Sequence, residues 1–270
     1  MKMIKLLFIL SCLLIAGHLH AEPILRMSTT TSTEHSGLLS VLNPVFEKRY
    51  GVKVHVIAVG TGKALKLGEN GDVDLMLVHA PEAEIAFVNA GYGVDRVPVM
   101  HNDFVIVGSN ADPARVSASG SVNEAFARIA RNRSVFISRG DESGTHLKEK
   151  EIWRELKIEP QGSWYISTGQ GMGAVLQMAD QKRAYALTDR GTFISYQDKV
   201  EIGIVFDNDP TLFNPYHLIA VNPKRYSTAQ YILARQYIEF LTGEQGQALI
   251  AGFKLSGQQL FYPDAVNVRR

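Results

Sequence analysis

The sequence predicts an α/β protein with two lobes, each a mostly parallel sheet flanked by helices, and a ligand cleft between them. Short runs of branched apolar residues alternate with amphipathic stretches of helical period, as in sheets covered on both faces. The alternation starts again after Asp112 and Pro113. No low-complexity linker separates the two series, so we expect strands to join the lobes.

The chain begins with the pattern of a secretory signal peptide. Lys2 and Lys5 precede a short apolar run, and Ala21 stands before Glu22 at the expected cleavage point. The run is too short for a comfortable membrane span. Lipid anchoring on Cys12 is disfavoured, because ILSC is a poor acylation sequence that lies early in the apolar run. We expect residues 1–21 to be removed on export.

Composition excludes several classes of function. Cys12 is the only cysteine and leaves with the leader, so the mature chain has no disulfide and no thiolate metal ligand. When Lys2 and Lys5 are taken from the 28 basic residues, the 27 acidic residues are in excess by one. This balance does not indicate a nucleic-acid partner. The histidines show no metal-ligand spacing, and we expect neither a metal centre nor a cofactor.

The first lobe is expected to begin with residues 22–103. Its strands are predicted at PILRMS, VKVHVIAV and VDLMLVH, with helices between them and a helix at PEAEIAFVNAG. Pro81 and Gly91 stand at the start and end of that last helix, as their backbone preferences favour. Pro44 is expected to break the first helix into two pieces, because its ring obstructs the preceding turn.

The second lobe is expected over residues 104–215 and contains a long helix from Ser143 to about Leu156. Its other predicted elements are the helices SVNEAFARIARN and AVLQMADQ and the strands SVFIS, SWYIS, AYALT and IGIVF. DFVIVG and YHLIAVN are the predicted crossing strands. Residues 216–270 then return to the first lobe with two further helices.

Four turns between a strand and a helix share an unusual polar composition. They are STTTST (28–33), GTGKA (60–64), SRGDESGTH (138–146) and STGQGMGA (167–174). Hydroxyls, exposed amides and helix N-termini favour anions, and glycine allows a close approach of the backbone. Ligands of open α/β sheets bind at this edge, beyond the carboxyl ends of the strands. Arg139 adds a full positive charge there.

Simpler interpretations remain open for each turn. Helix capping alone accounts for any one of them, and Arg139 could form a salt bridge with Asp141 or Glu142. GQGMGA matches a dinucleotide-binding pattern only loosely. Ser143 could be a hydrolase nucleophile with His146 as its base, although GDESG lacks the spacing of a nucleophile elbow.

Long motifs in these turns and around them resemble a known family. They are TTTSTEHSGLL, VIAVGTGKALKLGENGDVDLMLVHAP, GYGVDRVPVMHNDFVIVG, SRGDESGTH, TGQGMGAVLQMA, LTDRGTF and LFNPYHLIAVNP. Together they resemble the tungstate-binding proteins of ABC-type tungstate uptake systems, from about Leu25 to Pro263. The resemblance implies a two-lobed periplasmic binding protein of type II that delivers an oxyanion to an ABC permease in the inner membrane and its ATPase. It also implies that Thr29 to Ser32 and Arg139 face the ligand.

The expected site is a clamp of donors divided between the lobes, with no catalytic function. Its members are Thr30, Thr31, Ser32 and Thr61 from the first lobe and Arg139, Ser143, Gly144, Thr145, Thr168 and Gly171 from the second. Asp141 and Glu142 are expected to turn outward, where they hold Arg139 or cap the helix, because a carboxylate would repel a dianion.

The sequence leaves the identity of the anion open. Tungstate and molybdate have nearly the same size and charge, so the preference for tungstate rests on the resemblance. Sulfate, like these two, is fully ionised and needs only donors. Phosphate carries a proton near neutral pH and needs an acceptor, a role that Asp141 could fill.

Overall fold

The computed structural model describes residues 22–265. The leader with Cys12 lies outside the described residues, so its cleavage and the expected absence of a lipid anchor stay predictions. No helix of the described part combines the length and the apolar character that a membrane crossing requires.

The helices and strands follow the predicted alternation. The strands are β1 (Ile24–Thr30), β2 (Lys53–Val59), β3 (Leu75–Val78), β4 (Gly93–Gly108), β5 (Phe136–Ser138), β6 (Tyr165–Ser167), β7 (Ala186–Asp189), β8 (Gly203–Phe206), β9 (Phe213–Val221), β10 (Lys254–Leu255), β11 (Gln258–Gln259) and β12 (Tyr262–Pro263). The helices are α1 (Thr31–His35), α2 (Leu38–Tyr50), α3 (Thr61–Asn70), α4 (Pro81–Asn89), α5 (Val122–Asn132), α6 (Gly144–Glu155), α7 (Met172–Lys182), α8 (Arg190–Tyr196), α9 (Tyr231–Thr242) and α10 (Glu244–Gly252).

Parallel pairing places the ends of several strands at one edge. β1 pairs in parallel with β2 and β3, and β5 pairs in parallel with β6. β9 returns the chain to the first lobe and runs antiparallel between β3 and β4. The mixed sheets flanked by helices confirm the predicted fold class.

The long strand β4 belongs to both lobes. Residues from Gly93 to Asp103 pair with β9, whereas Phe104 to Val107 pair with β7, and Ile106 to Gly108 pair with β8. The chain therefore passes from one lobe to the other without leaving the sheet. The proposed boundaries at 103/104 and 215/216 stay predictions, although β4 changes its pairing partners at Phe104.

Each sheet is covered on both faces by apolar clusters. Along β3, Leu75 and Leu77 pack into the cluster of Phe46 and Tyr237, whereas Met76 packs into a second cluster on the opposite face. Successive strand residues point to opposite faces, so this division is what a doubly covered strand requires. In the same way β4 sends its alternate residues into two clusters of the second lobe.

The prediction that Pro44 breaks the first helix is wrong. α2 continues through Pro44, and the helical segments separate earlier, at Ser36 and Gly37. Gly37 has a φ of 82°, a left-handed conformation that glycine adopts without steric cost. Pro44 lies exposed on the helix, so water can satisfy the carbonyl that lacks its N–H partner.

Candidate oxyanion site

Ends of strands from both lobes meet at one small cavity. The lining residues are Thr30, Thr31, Ser32, Val59, Gly60, Thr61, His79, Arg139, Ser143, Gly144 and Thr145. Eight of the ten residues predicted for the site are in this set. Thr30, Val59 and Ser138 end β1, β2 and β5, so the cavity lies where open α/β sheets bind their ligands.

Thr30 ends β1 and caps α1. Its Oγ1 accepts a hydrogen bond from the Thr33 N–H at 3.3 Å and lies 2.7 Å from Thr33 Oγ1 and 3.1 Å from Ser32 Oγ. His79 Nε2 lies 3.2 Å from the same oxygen. A hydroxyl has one proton and two acceptor positions, so Thr30 is the centre of a fully engaged network.

Thr61 presents a donor without a partner. It opens α3, where the cap residue Gly60 has no side chain to satisfy the first amides. Thr61 is 1% exposed, and its Oγ1 has no hydrogen-bond partner among the described residues. A buried hydroxyl without a partner costs free energy, so this atom is set to bind a group that enters the cavity.

Arg139 is the cation that the second lobe contributes to the described lining, and it is 8% exposed. Its Nη2 donates to Asp141 Oδ2 at 2.5 Å, while its buried Nε has no partner among the described residues. Burial alone would raise the pKa of Asp141, but hydrogen bonds from Ser143 and Arg139 outweigh it and hold the pKa below its usual value. Asp141 is therefore ionised and forms the salt bridge with Arg139 that the sequence left open.

Ser143 is the N-cap of α6, and its geometry is that of a cap. Its Oγ accepts from the His146 N–H at 3.4 Å, and the His146 ring accepts from the Glu142 N–H at its Nδ1. The imidazole is thus directed at Glu142, not at the hydroxyl that it would have to activate. A nucleophilic serine needs its base within hydrogen-bond reach, so this arrangement does not support a hydrolase.

Thr168 and Gly171 are placed outside this lining. The Thr168 hydroxyl donates to the carbonyl oxygens of Ser138 and Arg139, at 3.1 and 3.2 Å. It therefore fixes the backbone that carries Arg139. Gly171 caps α7 and lines a neighbouring cavity together with Thr31, Ser32 and Arg139. A direct contact of either residue with the anion stays a prediction.

Sequence reasoning missed His79, which follows β3 directly. The ring is 6% exposed, and burial lowers its pKa, so the imidazole is neutral at pH 7. Its Nδ1 lies 3.0 Å from Asn214 Oδ1, and Asn214 Nδ2 donates to Asn102 Oδ1 at 2.6 Å. The available signal was its position in LMLVHAP, at the same kind of strand end as the four polar turns.

His79 also lies close to the second lobe at the site. A Cβ placed on Gly144, the first residue of α6, would lie 2.8 Å from His79 Cε1. Glycine is needed here because only a hydrogen side chain lets the ring and the helix backbone come together. The contact joins the two halves of the donor set.

Comparison with known proteins finds relatives that are described as anion-binding and tungstate-binding proteins. Residues 20–245 match the family model described as a PBP superfamily domain. A putative ABC transporter anion-binding protein of Haloferax volcanii is 47% identical over 90% of this chain and 72% of its own length. The tungstate-binding protein TupA of Peptoclostridium acidaminophilum is 43% identical over 88% of this chain and 85% of its own length.

A solved structure extends the agreement to three dimensions. The tungstate ABC transporter structure from Geobacter sulfurreducens has a TM-score of 0.79 and 51% identity, and it covers 87% of this chain and 100% of its own. The fold and these relatives assign the chain to one family. The chain belongs to the PBP superfamily, in the family of tungstate-binding proteins of ABC transporters.

Proposed function

We propose that this protein is a periplasmic substrate-binding protein that captures a tetrahedral oxyanion, tungstate or the similar molybdate. It delivers the anion to an ABC permease in the inner membrane. The donor set of Thr30, Thr31, Ser32, Thr61, Arg139, Ser143, Gly144 and Thr145 is the proposed binding site. Its function is capture, and no catalytic step is assigned to it.

One observation carries the proposal: a residue from each lobe lines the cavity and has a buried donor atom without a partner among the described residues. Thr61 Oγ1 comes from the first lobe and Arg139 Nε from the second. Native proteins satisfy almost all buried polar atoms, so unpaired donors that line one cavity indicate a ligand rich in acceptors. The N-termini of α3 and α6 add favourable dipoles at the same place.

The lining favours a fully ionised anion over phosphate. It contains no carboxylate, and Asp141, the acceptor considered for phosphate, is engaged by Arg139 and by the Ser143 N–H at 3.2 Å. A monoprotonated phosphate would therefore lack a free carboxylate for its proton. Sulfate remains the second candidate, since it also needs only donors.

Tungstate should raise the melting temperature of the protein strongly. A ligand that binds only the folded state stabilises it by RT ln(1 + [L]/Kd), about 2.7 kcal/mol when its concentration is a hundred times Kd. Differential scanning fluorimetry with micromolar tungstate, molybdate, sulfate and phosphate measures this. A shift with phosphate alone would contradict the assignment.

The two lobes should close over the anion about the crossing strands near Phe104 to Gly108 and Tyr216 to Val221. Donors from both lobes can contact one anion together only when the lobes are close. Small-angle X-ray scattering with and without tungstate should show a smaller radius of gyration in the complex. An unchanged radius, with binding confirmed by calorimetry, would instead indicate a rigid site.

A further inference from the structure

The hydrogen bonds of His79 direct the hydroxyl proton of Thr30 to the imidazole. Asn214 Nδ2 donates to Asn102, so Asn214 Oδ1 is left to accept the Nδ1–H of His79. A neutral imidazole then has only a lone pair at Nε2, which accepts the Thr30 O–H at 3.2 Å. In this arrangement Thr30 lines the cavity but has no proton to donate to an anion.

The cavity also lacks the net positive charge that would balance a dianion. Arg139 is paired with the ionised Asp141, so the two formal charges cancel beside the site. A dianion in this cavity would raise the proton affinity of any neutral base that lines it. His79 is the titratable base in the described lining.

The surroundings of the His79 ring can accommodate a positive charge. Tyr216 stacks on it with ring centroids 4.6 Å apart and an interplanar angle of 21°. A cation over a tyrosine face at this distance is stabilised by the ring quadrupole. Burial raises the pKa of Tyr216, which therefore stays neutral.

The other charged groups around His79 come from several elements. Burial is the largest influence and lowers its pKa, Asp189 and Glu84 act to raise it, and Arg139 acts to lower it. The ring also borders a larger cavity whose charged lining residues are Glu82, Lys148, Lys150, Glu151 and Arg154. An imidazolium is thus disfavoured by burial in the free protein, and the anion supplies the missing negative charge.

We propose that the protein takes up a proton from solvent on His79 when it binds the oxyanion. The new Nε2–H donates to Thr30 Oγ1, and Thr30 turns its own proton to the anion. The anion and the proton enter together, so the bound site is less negative by one charge. This inference rests on the proposed function and adds His79 to it as a positioning residue.

Calorimetric titration with tungstate in buffers of different ionisation enthalpy measures proton uptake directly. We expect uptake that approaches one proton for each anion bound near neutral pH. The affinity for tungstate should rise as the pH falls, by up to about tenfold per pH unit. This dependence should span the range from the raised pKa of His79 in the complex down to its lowered pKa in the free protein. Binding without uptake, or with proton release, would overturn the proposal and leave the proposed function intact.

Two matched variants locate the proton. In His79→Gln an uncharged amide replaces the ring, so proton uptake and the pH dependence should both disappear while tungstate still binds. His146→Gln removes the neighbouring histidine of α6 and should retain the uptake. Uptake that persists in His79→Gln, or is lost only in His146→Gln, would refute the assignment. If His79→Gln does not fold, the buffer series on the unaltered protein still decides. Absence of tungstate binding at every pH would instead overturn the proposed function.

Discussion

Replacement of Arg139 by alanine is expected to weaken tungstate binding by at least ~3 kcal/mol, about a hundredfold or more. Arg139 supplies full charge, and its buried Nε has no partner among the described residues. The substitution would also leave the Asp141 carboxylate without its cation, next to the incoming dianion. Both effects act in the same direction.

Two further variants test the explanation by isothermal titration calorimetry. Arg139→Lys should recover only part of the affinity, because an ammonium keeps the charge but not the planar fork. Arg128→Ala removes an arginine that pairs with Glu124 on α5, outside the described cavity lining, and should leave tungstate affinity unchanged. Near-equal affinities of Arg139→Ala and the unaltered protein would mean that Arg139 serves Asp141 alone.

Gly144→Ala is expected to weaken tungstate binding by about 1–3 kcal/mol, the usual cost of overpacking a close contact. The added methyl group would lie 2.8 Å from His79 Cε1, so the lobes could not approach as closely. Alanine favours helix over glycine, so the melting temperature of the free protein should not fall through loss of α6. Calorimetry measures the loss of tungstate affinity, and thermal unfolding of the same sample measures the stability of the free protein.

Gly62→Ala is the matched control for that variant. Gly62 is the second residue of α3, and a Cβ there would meet nothing within 4 Å. It should therefore leave tungstate affinity nearly unchanged. Equal losses in Gly62→Ala and Gly144→Ala would show that the effect comes from helix backbone and not from the contact with His79.

The sequence by itself determined the architecture and most of the candidate site. Periodicity and glycine or proline at element ends placed the strands and helices, because these signals act over a few residues. The four polar turns could be found for the same reason, since each follows a strand and opens a helix. Their position at the strand ends singled them out as candidate anion sites, and the resemblance to tungstate-binding proteins implied that TTTS and SRGD face the ligand.

Local sequence patterns did not predict two features that depend on solvent exposure or on neighbouring residues: the course of the first helix and the role of Thr168. Pro44 stays within α2 because it is exposed, whereas Gly37 supplies the left-handed residue that separates the helices. Thr168 belongs to the same kind of turn as Thr30, but its hydroxyl is bound to the backbone that carries Arg139.

Only the tertiary structure decided what His79 and Gly144 do. In the sequence they are 65 positions apart, and no local pattern links them. The fold stacks the imidazole on Tyr216, connects it through Asn214 to β4, and brings it against the first residue of α6. Hydrogen-bond partners and contacts between lobes are properties of three-dimensional packing, and no local pattern encodes them. The sequence therefore determined which groups could bind an anion, and the tertiary structure decided which of their protons are free to do so.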